Sequence, residues 1–236
     1  MKKAIGVVLF LLAAMVIALF LDRNVFIVRQ VEIEAEGVID KTGVIRASGV
    51  ELGARMRDVS LERIARDVES SGQYACVLVE KELPSTVRIA LRPRVPAVIA
   101  EAGGFVLLMD DAGYVMSITG NVPDAGAVYV TGLDIGDYSL GRRISADESR
   151  IHAMGVVVDA LDRCAARELA SELNVADLNG LYLYSRTGIH VSLGDARDMN
   201  AKILLMKYVL MDLESRGETS GRLDVSSGEK ADFDGG

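Results

Sequence analysis

The residues best suited to chemistry are two adjacent carboxylates, Asp110 and Asp111. Two carboxylates can act as general acid and general base when both face one substrate. This pair directly follows an apolar strand, where neighbouring side chains point to opposite faces, so the two cannot easily share a substrate. Asp side chains also bond local backbone N–H groups in turns. We therefore predict turn chemistry at Asp110 and Asp111 rather than catalysis.

Histidine and cysteine are too scarce for an obvious metal or nucleophile motif, with two of each in the chain. Zinc sites typically use four protein ligands when structural and three when catalytic. His152 lies off the apolar stripe of a predicted helix, and His190 points away from its apolar neighbours on a predicted strand. We expect both on solvated surfaces, with a pH-sensing role for His190 as the alternative.

No G-x-S-x-G, H-E-x-x-H or P-loop pattern is present in the sequence. We therefore expect no enzyme, no catalytic residue, no metal, no cofactor and no small-molecule substrate. An exported hydrolase is the alternative from the enzyme class.

The composition separates into an apolar segment and an acidic remainder. The chain has 236 residues, is 50% hydrophobic and carries a formal charge of −8. Ala4 to Leu21 is an unbroken run of 18 apolar or Gly residues, and the chain without residues 1–21 has a net charge of −10. An acidic surface repels phosphate backbones, so we expect no nucleic-acid partner.

The apolar run is predicted to be a single transmembrane helix, residues 4–21. Its 18 residues would span about 27 Å as a helix, close to the thickness of a bilayer core. Lys2 and Lys3 precede it, so the positive-inside rule places residues 1–3 in the cytoplasm and the rest outside. A cleaved signal peptide is the alternative, although the run is longer than a usual h-region and no clear A-x-A site follows.

Cys76 and Cys164 would then face an oxidising compartment. Each lies in an apolar context, which favours two buried free thiols. A Cys76–Cys164 bridge between separate domains is the alternative.

Residues 24–93 show the pattern of a small α+β domain in the order β-α-α-β-β. Residues 31–35 alternate apolar and acidic side chains, as a half-buried strand does. Ser60 is a predicted N-cap for a helix with an apolar stripe, and residues 83–86 are a predicted turn between two strands.

This element order resembles the POTRA domain, and its place after a membrane helix resembles the FtsQ/DivIB family of bacterial cell-division proteins. The matching segments are Phe26-Ile27-Val28, Leu83-Pro84-Ser85-Thr86-Val87-Arg88-Ile89, the Arg92–Val98 junction, Leu178–Leu183, Gly188–Gly194, Lys202 and Gly221-Arg222-Leu223-Asp224-Val225. The resemblance covers residues 1 to about 228.

Residues 94–228 are predicted to be a second α+β domain, with a mixed or antiparallel sheet and two long helices. Ser145 and Glu148 fit a capping box at the start of the first helix. The second helix is predicted from about Ala196 to Arg216. Residues 221–227 are predicted to form a last short strand at the edge of the sheet.

The FtsQ/DivIB resemblance implies a partner surface on that last strand. An edge strand offers unpaired backbone groups, and β-augmentation uses them to bind another chain. In this family the C-terminal strand region binds FtsB/DivIC, which pairs with FtsL. The predicted partner-binding residues are therefore Leu223, Asp224, Val225, Ser226, Ser227 and Phe233. Either the surface continues through residues 229–233, or residues 229–236 are a disordered tail.

The resemblance implies a non-enzymatic, single-pass scaffold of the division machinery at the septum, which regulates septal cell-wall synthesis. Its expected partners are FtsB/DivIC-like and FtsL-like proteins, with other divisome membrane proteins docking on the POTRA-like domain. The alternative scaffold is a POTRA-containing subunit of a transport or secretion assembly.

Overall fold

The computed structural model describes residues 2–123 and 125–235. Met1 of the predicted cytoplasmic tail and Gly236 of the C-terminal tail lie outside the described residues. The chain divides into two compact units, Met1–Pro93 and Arg94–Gly236. Both contain helices and strands, which confirms the predicted mixed α+β class.

The first unit begins with the apolar helix α1, Lys2–Asn24. Ile5–Asp22 has a mean hydropathy of 2.8, and none of it is buried in the protein. The helix is therefore long and apolar enough to cross a membrane, and the exposure of those apolar side chains that the structure describes fits a transmembrane anchor.

The rest of the first unit is a three-stranded sheet with two short α-helices and one 3-10 helix, Met56–Asp58. Its elements are β1 (Gln30–Ala35), α2 (Lys41–Ser48), α3 (Leu61–Glu69), β2 (Tyr74–Glu82) and β3 (Thr86–Pro93). β3 lies in the middle, parallel to β1 and antiparallel to β2. The predicted N-cap Ser60 is confirmed, since its side chain accepts a hydrogen bond from Arg63 N.

One face of this sheet is covered by the helices, because Val44, Ile64 and Val68 pack with Val87 and Ile89 in one buried cluster. On the other face Arg88 lies among acidic side chains. Arg88 forms ion pairs with Glu32, Glu34, Glu80 and Glu82.

Over its described residues, the second unit is a nine-stranded mixed sheet with two α-helices and one short 3-10 helix, Arg167–Leu169. Its strands are β4 (Val98–Ala102), β5 (Phe105–Met109), β6 (Val115–Thr119), β7 (Val128–Thr131), β8 (Ala170–Asn174), β9 (Leu181–Ser185), β10 (His190–Gly194), β11 (Gly221–Asp224) and β12 (Asp232–Gly235). Its α-helices are α4 (Glu148–Arg163) and α5 (Met199–Ser215). The strand order is β12-β11-β10-β9-β8-β7-β4-β5-β6.

The core of this unit lies between the helices and one face of the sheet. Met154, Leu161, Met206 and Leu210 of the helices share one buried cluster with sheet residues such as Leu183. Side chains alternate along a strand, so the residues between the buried ones point to the opposite face.

Two predicted helix starts differ from the structure. The N-cap of α4 is Asp147, whose side chain accepts from the backbone N–H groups of Ser149 and Arg150. The predicted capping box at Ser145 is wrong, because the backbone of Ser145 is paired with residues 136 and 137 and stays outside the helix. α5 begins at Met199, three residues after the predicted Ala196.

Candidate functional site

The candidate site is the edge of the nine-stranded sheet formed by β11 and β12. β12 pairs antiparallel with β11 over four residues, from Gly221 opposite Gly235 to Asp224 opposite Asp232. β11 in turn pairs parallel with β10. Among the described residues, no strand pairs with the outer side of β12, so β12 ends the sheet.

The prediction that residues 221–227 are the last strand at the sheet edge is therefore wrong. β11 is an inner strand, because residues 232–235 of the predicted tail form one more strand beside it. Because Asp232–Gly235 form a strand, the disordered-tail alternative is wrong for those residues. That the partner surface continues through residues 229–233 stays a prediction.

The direction of the backbone groups follows from one hydrogen bond. Val225 N donates to Ser192 O on β10, at 3.0 Å. Backbone groups alternate in direction along a strand, so Leu223 also faces β10, whereas Arg222 and Asp224 face β12. The backbone groups of their partners Asp234 and Asp232 therefore point towards β11. The backbone N–H and C=O groups of Phe233 and Gly235 point the other way, away from β11 and along the plane of the sheet. β12 therefore presents outward-facing donors and acceptors to a further strand.

Phe233 fastens β12 to the domain. Its ring is half-buried and packs against the core of the second unit. A methyl group added at Gly221 would come within 2.9 Å of the Phe233 ring and 2.6 Å of Asp234 O. Gly221 is thus the residue that lets β12 and the Phe233 ring approach β11.

A compact turn joins the two strands. The Asp224 side chain accepts from Ser226 N, and Ser227 Oγ lies within hydrogen-bond distance of the N–H groups of Glu229 and Lys230. Local bonds of this kind are typical of Asp and Ser in turns. They bring residues 232–235 back alongside β11.

The buried side chain of Lys202 packs against this turn. Lys202 on α5 is 3% exposed, and its Nζ donates to Asp195 O at 2.8 Å and approaches Asp195 Oδ1 at 3.2 Å. Hydrogen bonds from Arg197, and then from Lys202, hold the pKa of the Asp195 carboxyl well below its usual range. The Lys202 stem lies 3.6 Å from the position of a Cβ at Gly228, so it positions the turn against α5.

The six predicted partner-binding residues fall into three groups. Leu223 and Val225 are fully buried in the core, so their side chains are not accessible to a partner while the core is intact. Asp224, Ser226 and Ser227 are exposed in or beside the turn. Phe233 is half-buried. The structure brings all six to one edge of the sheet, and contact of any of them with a partner stays a prediction.

Sequence reasoning extended the surface through Asp232 and Phe233 but missed that these residues form a strand, and it missed Asp234 and Gly235, which complete the outer edge. A polar-apolar-polar alternation over Asp232-Phe233-Asp234 was the available signal. The edge is acidic, since Asp224, Asp232 and Asp234 are all exposed. Charges on an edge strand discourage indiscriminate pairing.

The residues considered for catalysis occupy structural positions. Asp110 is 7% exposed; its carboxylate accepts from the N–H groups of Ala112 and Tyr114 and pairs with Arg94 at 2.5 Å. Asp111 is exposed. The two carboxylates therefore occupy different environments, and Asp110 performs the turn role predicted for it.

The two His are also separate from one another. His152 is exposed on α4. His190 is half-buried on β10, stacked on Tyr182 with ring centroids 4.8 Å apart and edge-on to Tyr184. Burial, and then the charge of Arg222, lower the pKa of His190 below its usual value.

Cys76 and Cys164 are free thiols, and burial, followed by the charge of Glu69, raises the pKa of Cys76. Within residues 2–123 and 125–235 no group of His, Cys, Asp and Glu is arranged to hold a metal ion.

The fold and this site define a class. It is a protein with two α+β units and, over the residues that the structure describes, one candidate membrane helix, and its main feature is a sheet edge open to another strand. No protein-family model matches the chain. Curated relatives do match most of its length. DivIB, a cell division protein of Clostridium tetani, is 23% identical over 218 residues, which is 92% of this chain and 82% of the relative.

Two cell division proteins named FtsQ match as well. The protein of Anaeromyxobacter is 26% identical over 87% of this chain and 69% of its own length. That of Syntrophotalea carbinolica is 22% identical over 81% of this chain and 67% of its own length. These matches confirm the resemblance to the FtsQ/DivIB family and support a role in cell division.

Proposed function

We propose that the protein is a non-enzymatic, membrane-anchored scaffold of the bacterial division machinery that recruits its partners by strand pairing at β12. The observation that carries this proposal is the outward direction of the backbone groups of Phe233 and Gly235. A partner strand laid beside β12 would extend the sheet by main-chain hydrogen bonds, with side chains supplying specificity.

The expected strand donor is an FtsB/DivIC-like protein, itself paired with an FtsL-like protein. The relatives named DivIB and FtsQ support this assignment through their role in cell division. Leu223, Val225 and Phe233 would contribute indirectly, because they hold β11 and β12 against the core. Asp224, Ser226 and Ser227 would meet the partner from the exposed turn.

The first unit would be a POTRA-like docking domain for other divisome membrane proteins. Its observed order β1-α2-α3-β2-β3, with β3 between β1 and β2, supports that assignment. Residues 94–228 would be the family's β domain, and residues 229–236 its C-terminal extension. The POTRA-like domain and the β domain together would make a two-domain scaffold.

The apolar α1 would cross the cell membrane once, with residues 1–3 in the cytoplasm and both units outside. The protein would act at the division septum, where the complex it joins regulates septal cell-wall synthesis. Depletion is then expected to give filamentous, undivided cells, and normal septa after depletion would contradict the division role.

A substitution in β12 tests the strand pairing directly. Gly235→Pro removes an outward N–H while leaving the inward bonds of Asp232 and Asp234 to β11. We expect about tenfold weaker capture of the FtsB/DivIC-like partner by the full-length protein, since a hydrogen bond is lost and the ring obstructs the edge. Gly235→Ala keeps the N–H and is the matched control.

Equal partner binding by the Pro and Ala variants would refute pairing at this edge. Proline at Val225 would be a poor test, because the Val225 N–H already bonds to Ser192 O and its loss would disrupt the protein's own sheet.

A further inference from the structure

Helix α5 carries two apolar stripes, and only one of them faces the core. The inner stripe is buried and consists of Met199, Ile203, Met206, Leu210 and Leu213. The outer stripe is exposed and consists of Ala201, Leu204, Tyr208, Met211 and Ser215. Both follow alternating steps of three and four residues, which is the spacing of helices that pack along their length.

The outer stripe has no cover in the described part of the chain. Leu204 is 43% exposed, Tyr208 64% and Met211 54%. A globular helix normally has one apolar stripe that faces the core, with polar residues on its opposite face. The heptad spacing of the exposed residues favours another helix as the covering element, laid nearly parallel to the α5 axis.

The charges beside the outer stripe indicate which helix that is. In the heptad, Lys207 and Glu214 occupy the same flanking position one repeat apart. When two copies of α5 pack antiparallel with Tyr208 opposite Met211 of the second copy, each Lys207 lies beside the second copy's Glu214. Lys207 donates one hydrogen bond to Cys164 O at 2.8 Å and keeps two further donors for such a pair.

We propose that the outer stripe of α5 is a self-association surface, on which a second copy of this chain binds by antiparallel pairing of the two α5 helices. The pairing is two-fold symmetric, so each favourable ion pair occurs twice. The alternative antiparallel register, with Leu204 opposite Tyr208 of the second copy, brings the two Lys207 side chains together. Charge therefore selects the first of the two registers, and the opposed helix dipoles favour the antiparallel direction that both registers share.

The interface would be short. The outer stripe provides four layers, from Leu204 to Ser215, which is less than the surface of a permanent dimer. The association is thus expected to be reversible and concentration-dependent. This surface is separate in sequence from β12, and it adds self-association to the proposed partner recruitment.

Sedimentation equilibrium of the full-length protein in a neutral detergent at low salt tests the proposal. We expect a reversible dimer whose dissociation constant rises about tenfold or more with Tyr208→Glu. Leu140→Glu, which changes an exposed apolar residue of the same unit (Leu140 is 42% exposed), should leave the dimer unchanged.

A charge exchange tests the register. Lys207→Glu brings carboxylates together, Glu214→Lys brings ammonium groups together, and each should weaken the dimer. The double variant Lys207→Glu, Glu214→Lys should restore it, which a merely structural role of Lys207 would not produce. A protein that stays monomeric at every concentration, a dimer insensitive to Tyr208→Glu, or a double variant without recovery would each overturn the proposal.

Discussion

At the scale of single residues, Asp110 is a candidate catalytic group whose carboxylate is fully used in structural contacts. Its carboxylate satisfies two backbone N–H groups of its turn and the guanidinium of Arg94, which is itself buried and lies 4.0 Å from the centre of the Tyr114 ring. A buried ion pair of this kind is costly to break, because the remaining charge has no partner. The role of Asp110 is therefore to hold the start of the second unit.

We predict that Asp110→Ala destabilises the second unit by about 3–5 kcal/mol, because Arg94 would be left buried and unpaired. Asp111→Ala, its exposed neighbour, should change stability by less than about 0.5 kcal/mol. Urea unfolding of the purified protein followed by circular dichroism measures both. Equal stability of the two variants would show that the Arg94 pair contributes nothing.

His190 should make stability depend on pH. Its pKa is lowered by burial and by Arg222, so the unfolded chain takes up a proton at higher pH than the folded one. The stabilising contribution is therefore complete above the unfolded pKa of about 6.5 and is lost as the pH falls below it. His190→Phe, which keeps the stacking on Tyr182, should reduce the difference in melting temperature between about pH 7.5 and about pH 5.5.

His152→Asn is the matched control for this measurement, because His152 is exposed on α4. An undiminished pH dependence in His190→Phe would assign the effect to other groups.

At the scale of elements, the sequence predicted the order of helices and strands better than the end of the sheet. The alternation of Val31 and Ile33 with acidic residues fixes which face of β1 is buried, and that pattern is local. β12 has no such run, because only Phe233 is apolar among its four residues. It forms because the turn at Ser227 returns the chain to β11 and because Gly221 leaves room for the Phe233 ring. These are tertiary contacts, and a local sequence pattern does not predict them.

The fit between Gly221 and Phe233 gives the prediction at this scale. Gly221 has φ +132°, and an added Cβ would lie 2.6 Å from Asp234 O. Gly221→Ala should therefore release β12 from β11 without changing any residue of β12. Hydrogen exchange of the Asp232 and Asp234 amides, which face β11, should become faster, and capture of the FtsB/DivIC-like partner should fall with it.

Gly217→Ala is a suitable control, since Gly217 also has a positive φ and its Cβ would meet nothing within 4 Å. Faster exchange at β12 with undiminished partner binding would mean that the partner uses β11, with β12 displaced.

At the scale of the whole molecule, the chain separates attachment from recognition. Helix α1 has no polar face over residues 4–21, and its described apolar side chains are exposed, so the helix offers hydrophobic length rather than a specific surface. The acidic remainder forms two compact units, and the predicted partner surface lies at the far C-terminal edge of the second. Placement at the membrane and choice of partner should therefore be replaceable independently.

An exchange of anchors tests this separation. We predict that replacing residues 2–24 with an unrelated single transmembrane helix of the same orientation preserves membrane attachment, partner capture and cell division. Deleting residues 229–236 from the native chain should preserve attachment and abolish capture, because β12 is lost and the β11 groups facing it are left unpaired. Septum counts, fractionation and partner capture in cells that depend on each variant measure the outcome. If exchanging the anchor abolished partner capture and deleting residues 229–236 did not, partner recognition would lie in the membrane helix instead.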